Sequence, residues 1–163
     1  LIGTMNTADR SIAAIDTALR RRFFFKEMMP DPDKLSDISV EDLSISELLS
    51  RMNQRIAVLY DREHTIGHAY FMPLKANPTI EALAEIFRRS ILPLLQEYFY
   101  EDYEKIRLIL GDNRKTETGE QFITVKQNDY MELFGDSEVD LEDGYSYEIN
   151  DAAFDNIESY RSI

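Results

Sequence analysis

The stretch Ile2-Gly-Thr-Met-Asn-Thr-Ala-Asp-Arg-Ser11 runs from an apolar dipeptide into an amide, hydroxyls, a carboxylate and a guanidinium. Shortly after it, Leu19 and Phe23 enclose Arg20, Arg21 and Arg22. An Asn at the tip of a strand in an α/β sheet stands where ligands bind, beyond the carboxyl ends of the strands. From there Asn6 can position a water or touch a terminal phosphate oxygen. Arginines at the end of a following helix can project outward and stabilise charge on a transferring phosphoryl group. Each residue also has a plainer role. Asn6 can simply cap the turn after the strand, and Arg20 to Arg22 can be a solvated helix end that complements the helix dipole.

Other chemistries find little support. No G-x-x-x-x-G-K-[ST] phosphate-binding loop occurs, since none of the six glycines is followed by lysine. There is no G-x-S-x-G elbow, and without cysteine there is no thiol nucleophile, disulfide or thiolate metal site. His64 and His68 are four apart, but in a non-helical setting and without a zinc-type Glu between them, so no metal site is assigned. These residues alone do not make a complete catalyst.

The elements that must position the two clusters are short. Residues 1–5 read as the end of a buried strand. Ile15, Leu19 and Phe23 mark a short amphipathic helix with Asp16 near its start, and "FFFKEMMP" reads as a further strand closed by Pro30-Asp31-Pro32. Strand, helix, strand is one α/β crossover, which cannot cover both faces of a parallel sheet, so the chain is expected to be cut from something larger.

Beyond Pro32 the pattern turns helical. Ser44 and Glu47 fit a capping box, and Leu48, Leu49, Met52, Ile56 and Leu59 continue one helical face to about Asp61. "HTIGHAYFMPL" lacks a helical period and reads as a loop or short strand pair. Asn77-Pro78 reads as an N-cap with proline at the first helical position. Pro93 should kink or divide the helix that follows, and a last helix should run from Tyr103 to Leu110 and stop at Gly111. The aromatics Tyr98, Phe99, Tyr100 and Tyr103, in acidic surroundings, read as packing rather than base stacking. From Asp112 onward "DNRKTETGEQ" is a polar loop, "QFITV" and "YSYEI" are strand-like, and "DAAFDNIESYRSI" closes as a helix. The organisation is therefore 1–30, an α/β piece; 31–111, a helical domain; and 112–163, an acidic mixed α+β extension.

Charge narrows the ligand. The net charge is −13. Residues 1–30 carry +2 and the remainder −15, with fourteen acids and four bases after residue 111. A general nucleic-acid surface would show basic stripes beyond the first thirty residues, and none occurs. Concentrated positive charge suits a local anionic ligand. No apolar run approaches the roughly 18–20 residues of a membrane span, and no signal peptide is evident, so a cytoplasmic location is expected.

"IGTMNTADRSIAAIDTALRRRF" resembles the stretch that follows the Walker B strand in AAA+ ATPases of the McrB type, the nucleotide-hydrolysing subunits of 5-methylcytosine-specific restriction systems. "IGHAYF" (Ile66–Phe71) and "ILPLLQEYFYED" (Ile91–Asp102) resemble the lid motifs of that family in the same order. The resemblance implies the end of an AAA+ core (sensor-1 strand, finger helix, last strand), an α-helical lid over 31–111, and the acidic extension. It makes Asn6 the sensor-1 residue and gives Asp9 and Arg10 the subunit interface. It makes Arg21 the arginine finger, with Arg22 as its companion, and lets Asp16 orient the cluster. Gly67 and His68 become candidate nucleotide contacts from the lid; a core or loop role for His68 is equally open.

The family's Walker motifs are not among these residues, so the chain by itself is expected to hydrolyse no nucleotide. The resemblance further implies GTP, or ATP, with Mg2+ in the full-length protein, a homo-oligomeric ring and a McrC-like nuclease partner. DNA would be bound through other domains. Asn6-Thr-Ala-Asp9 cannot double as a guanine-reading motif, because a sensor-1 loop lies on the order of 10 Å from the base, about three extended residues. An assembly module without motor activity, or a different AAA+ remodelling ATPase, is the alternative.

Overall fold

The structure, a computed structural model, describes residues 2–4, 21–135 and 144–163. The expected end of a buried strand over residues 1–5 is not seen where it is described, since residues 2–4 are irregular and Ile2 is 99% exposed. The helix around Ile15 and the residues Asn6, Asp9, Arg10 and Asp16 lie outside the described residues.

The order of elements starts with a 3-10 turn, Pro32–Leu35, and a small hairpin, β1 (Ser39–Val40) and β2 (Leu43–Ser44). The long helix α1 (Ile45–Leu59) leads to a 3-10 stretch, His68–Lys75. Then come α2 (Ile80–Ile86), a π-helical turn (Phe87–Ile91), α3 (Leu92–Tyr98) and α4 (Tyr103–Leu110). After two 3-10 turns, β3 (Ile123–Gln127), α5 (Tyr130–Phe134), β4 (Tyr145–Ile149), the 3-10 turn Asp151–Asp155 and α6 (Ile157–Arg161) close the chain.

Local chemistry sets most of these boundaries. Ser44 Oγ accepts the Glu47 N–H at 3.4 Å and starts α1, whose Leu48, Leu49, Met52 and Ile56 enter the core at helical spacing. Asp102 accepts the Lys105 N–H at 3.2 Å and starts α4. Gly111 ends it in the left-handed region, φ 73°. Pro93 has no N–H to give the preceding turn, and the wider π-helical turn directly before α3 accommodates it.

Three further expectations need correction. "FFFKEMMP" forms no strand: residues 24–30 are irregular and Phe24 is 95% exposed. A strand exists by pairing, and no described strand lies beside this segment. The stretch from His68 is a 3-10 helix rather than a loop or strand pair, with Phe71 and Leu74 buried at its i, i+3 spacing. The cap of α2 is Thr79, not Asn77. Thr79 has extended backbone and accepts the Ala82 N–H at 3.3 Å, which leaves Pro78 outside the helix.

The change of composition at residue 112 is not a packing boundary. Phe87, from the π-helical turn, lies 5.8 Å from Phe122 and 4.9 Å from Tyr160 by ring centroid. Phe122 in turn lies 5.1 Å from Phe154, and the Tyr160 hydroxyl donates to the Phe154 carbonyl at 2.7 Å. Helical and acidic segments thus share one apolar core. β3 and β4 pair antiparallel, Ile123 opposite Ile149 and Val125 opposite Tyr147.

A buried polar knot anchors this join. The Asp112 carboxylate accepts from the N–H groups of Phe122 (3.0 Å) and Ile123 (2.9 Å) and from Lys115 Nζ (2.7 Å). Both side chains are fully buried. Lys115 Nζ sits 4.1 Å from the Phe122 ring centroid. Burial pulls the Lys115 pKa down, and the Asp112 charge opposes that pull.

Candidate functional site

Gly67 and His68 stand where the chain leaves α1 and enters the 3-10 stretch. Their position is set from below by Asn53, a buried amide on the core face of α1. Its Nδ2 donates to the Ile66 carbonyl at 2.9 Å and its Oδ1 accepts the Ile66 N–H at 2.7 Å. A loop has no ladder to satisfy its peptide groups, and here one side chain satisfies both groups of the residue before Gly67.

The approach to this clamp is fixed by Asp61. Its carboxylate accepts the N–H groups of Glu63 (2.8 Å) and His64 (3.0 Å) and meets His64 Nδ1 at 2.7 Å. Burial pushes the Asp61 carboxyl upward, but the hydrogen bonds from His64 and Glu63 outweigh it and hold its pKa below the ordinary aspartate value. The buried His64 ring then packs edge-on against Tyr60 (4.3 Å) and Tyr98 (4.8 Å). His64 is therefore a structural histidine. The aromatic cluster divides: Tyr98 and Phe99 pack here, Tyr103 stacks on Tyr147 at 5.6 Å, and Tyr100 stands exposed.

His68 does different work. Its Nδ1 accepts the backbone N–H of Asp31 at 3.1 Å. That bond requires a bare Nδ1, so the neutral ring carries its proton on Nε2 and offers a donor on its other side. Gly67 has extended backbone, φ −69°, and a Cβ built on it would meet nothing within 4 Å. Neither backbone strain nor crowding calls for glycine here. The position is open to an approaching group.

The Asp31–His68 bond holds the first residue of the lid to the loop. Among the described residues the segment carrying Arg21 and Arg22 meets the lid through an exposed pair, Arg62 to Glu27 at 2.8 Å, of the kind worth little in water. Arg21 and Arg22 themselves lie in an exposed turn and make no ion pair with a described residue. No hydrogen bond joins them to the Gly67–His68 loop. The structure thus brings Gly67, His68 and Asp31 together, and joins neither guanidinium to another described residue by an ion pair.

Among the described residues no three His, Cys, Asp or Glu side chains converge on a metal-sized site. Among them, too, no helix is long and apolar enough to cross a membrane.

Asn53 and Asp61 were not singled out from the sequence. Asn53 does carry a signal, being a lone amide within the apolar stripe Leu49, Met52, Ile56. Asp61, at the end of α1, looks like any polar helix terminus.

Comparison with known proteins meets this geometry at the lid. Residues 44–107 match the family described as McrB, alpha-helical lid domain. These residues take in α1, the clamped loop, the π-helical turn, α3 and most of α4. The chain is 36% identical over 132 residues to the "Type IV methyl-directed restriction enzyme EcoKMcrB subunit" of Escherichia coli (strain K12). That match covers 69% of this chain and 29% of the relative, so the chain spans less than a third of the curated protein it resembles. These two matches place the chain, with its helical lid, in the McrB family.

Proposed function

We propose that this chain is the lid-bearing part of a nucleoside-triphosphatase motor in a McrB-like, modification-dependent DNA restriction system. The observation that carries the reading is the Asp31–His68 hydrogen bond. It ties the segment that follows the arginine run to the one lid loop with an open glycine and a free ring donor. It fixes the point at which the chain, coming from the arginine run, enters the lid.

In the full-length protein Asn6 orients the attacking water or a terminal phosphate oxygen of GTP or ATP. Arg21, assisted by Arg22, reaches the nucleotide of a neighbouring subunit in a homo-oligomeric ring and stabilises charge on the transferring phosphoryl group. Asp9 and Arg10 organise that interface, and Asp16 orients the cluster. Gly67 permits close approach of the nucleotide to the lid backbone, and His68 Nε2–H donates to it. Mg2+ accompanies the nucleotide and screens its phosphate charge. Hydrolysis drives work on DNA held by other domains, in concert with a McrC-like nuclease, in the cytoplasm.

The test uses full-length protein. Arg21→Ala should assemble normally but hydrolyse slowly, with about 10³–10⁵ as the upper range for loss of an arginine finger. Mixing it with a variant lacking the phosphate-binding lysine should restore part of the activity, because some interfaces then hold one intact finger and one intact loop. Asn6→Ala should lower kcat with little change in nucleotide affinity, as befits a contact made mainly in the transition state. Mixed rings that show no rescue would remove the trans role of Arg21. Intact assembly without any hydrolysis by the unmutated protein would favour an assembly module instead.

A further inference from the structure

A second face of the molecule combines charge and apolar area in a way the nucleotide reading leaves unused. Between α1 and α4 runs an open groove of about 410 Å³. Val58, Leu59 and Leu108 form its floor, and Val58 is 84% exposed. Arg55 and Arg114 stand at its rim. Arg51 lies one turn before Arg55 on the same helix face.

Among the described residues none of the three guanidiniums meets a carboxylate. Arg55 donates to a neutral group, the Ile109 carbonyl, at 2.8 Å, and Arg51 and Arg114 make no ion pair with a described residue. Burial, and then the like charges of Arg114 and Arg51, depress the Arg55 pKa. The cluster repels itself in the free molecule. In a chain of net charge −13, an unneutralised basic rim around an apolar floor selects an occupant that presents carboxylates and apolar side chains together.

The chain displays such an element itself. α5 holds Leu133 61% and Phe134 62% exposed, with Met131 exposed beside them. Asp129 caps it by accepting the Glu132 N–H at 3.0 Å, and both acids face solvent. Nothing else in the described structure joins acids and large exposed apolar side chains within one short helix.

We propose that the α1–α4 groove receives α5 of a second copy of this chain. Leu133 and Phe134 cover Val58, Leu59 and Leu108, while Asp129 and Glu132 neutralise Arg51 and Arg114. The two surfaces differ, so the contact is head to tail and propagates from copy to copy, closing a ring where the rotation allows. It is small by the standard of stable interfaces, so by itself it is weak and concentration-dependent. A nucleic-acid backbone would satisfy the arginines but leave the apolar floor uncovered. The contact needs no nucleotide, so its failure leaves the motor reading untouched.

The absence of cysteine from the sequence makes the test clean. Val58→Cys and Leu133→Cys are made separately in the 163-residue chain; both sites are exposed, so neither disturbs the core. On mild oxidation the mixture should give a disulfide-linked heterodimer at several-fold the dimer yield of either variant alone. Arg114→Glu should suppress it, high salt should weaken it, and Glu132→Arg on the partner should restore it. A yield no higher than the single-variant background would overturn the proposal. So would a double Val58→Cys/Leu133→Cys chain that closes within a monomer. Duplex DNA binding that is lost with Arg114→Glu, while the cross-link persists unchanged, would reassign the arginines to nucleic acid.

Discussion

Asn53 pairs with both backbone groups of Ile66, donating to its carbonyl at 2.9 Å and accepting its N–H at 2.7 Å. The pair links the middle of α1 to the residue just before Gly67 and His68. Asn53→Ala should therefore cost roughly 1–3 kcal/mol for each backbone group left buried without a partner. Urea denaturation measures the loss. Hydrogen exchange should also quicken at Ile66, which separates loss of the clamp from general destabilisation.

Asp112 and Lys115 are asymmetric partners. Asp112→Ala strands two backbone N–H groups and a buried ammonium, and should cost about 3–5 kcal/mol, as for removal of one member of a buried ion pair. Lys115→Met should cost much less, because the carboxylate keeps its two N–H donors. The double variant should recover part of the Asp112→Ala loss, and a thermodynamic cycle from denaturant melts reads that coupling directly.

Two glycines should answer alike substitutions differently. At Gly111, φ is 73° and an added Cβ would lie 2.5 Å from the Ser162 carbonyl oxygen, so Gly111→Ala should lose more than about 1 kcal/mol. At Gly67 the same change meets open space and should leave stability intact. If Gly67 serves close approach of nucleotide, Gly67→Ala in the full-length protein should still weaken nucleotide binding, measured by calorimetry.

The acid side of the stability profile should depend on Arg88. Its hydrogen bond to Asp155, 2.7 Å at the closest, holds that carboxyl below its ordinary value of 3.8. A carboxylate depressed by folding contributes stability above its unfolded pKa and loses it as pH falls through the folded value. The unfolded chain takes up the proton first, so stability should decline below about pH 4. Asp155→Asn should make that decline shallower, as followed by thermal melts across the acid range.

The fold was legible where a single side chain decides the outcome. Ser44 starts α1, and Gly111 stops α4 where the helical period ends. The strand character of "QFITV" and "YSYEI" also showed, since alternation and aromatic content are local. Decisions taken by tertiary partners did not show. "FFFKEMMP" has the composition of a strand but nothing described to pair with. Thr79 outcompetes Asn77 because its backbone is extended and its hydroxyl reaches Ala82. "DNRK" reads as a solvated loop, yet Asp112 and Lys115 are fully buried because each satisfies the other. At the site, Gly67 and His68 were found through family resemblance. Asn53 was passed over because a polar residue in an apolar stripe declares a partner without naming it.

Phe87 stacks on Phe122 and meets Tyr160 edge-on. It fastens the π-helical turn of the lid to the acidic end of the chain with interdigitated rings, and the Asp112–Lys115 knot pins the connecting loop. Such a joint has no slack, so a small rotation of the helices swings the β3–β4 hairpin with them. The acidic end of the chain is therefore carried by the lid as part of the same body, not attached to it as a separate appendage.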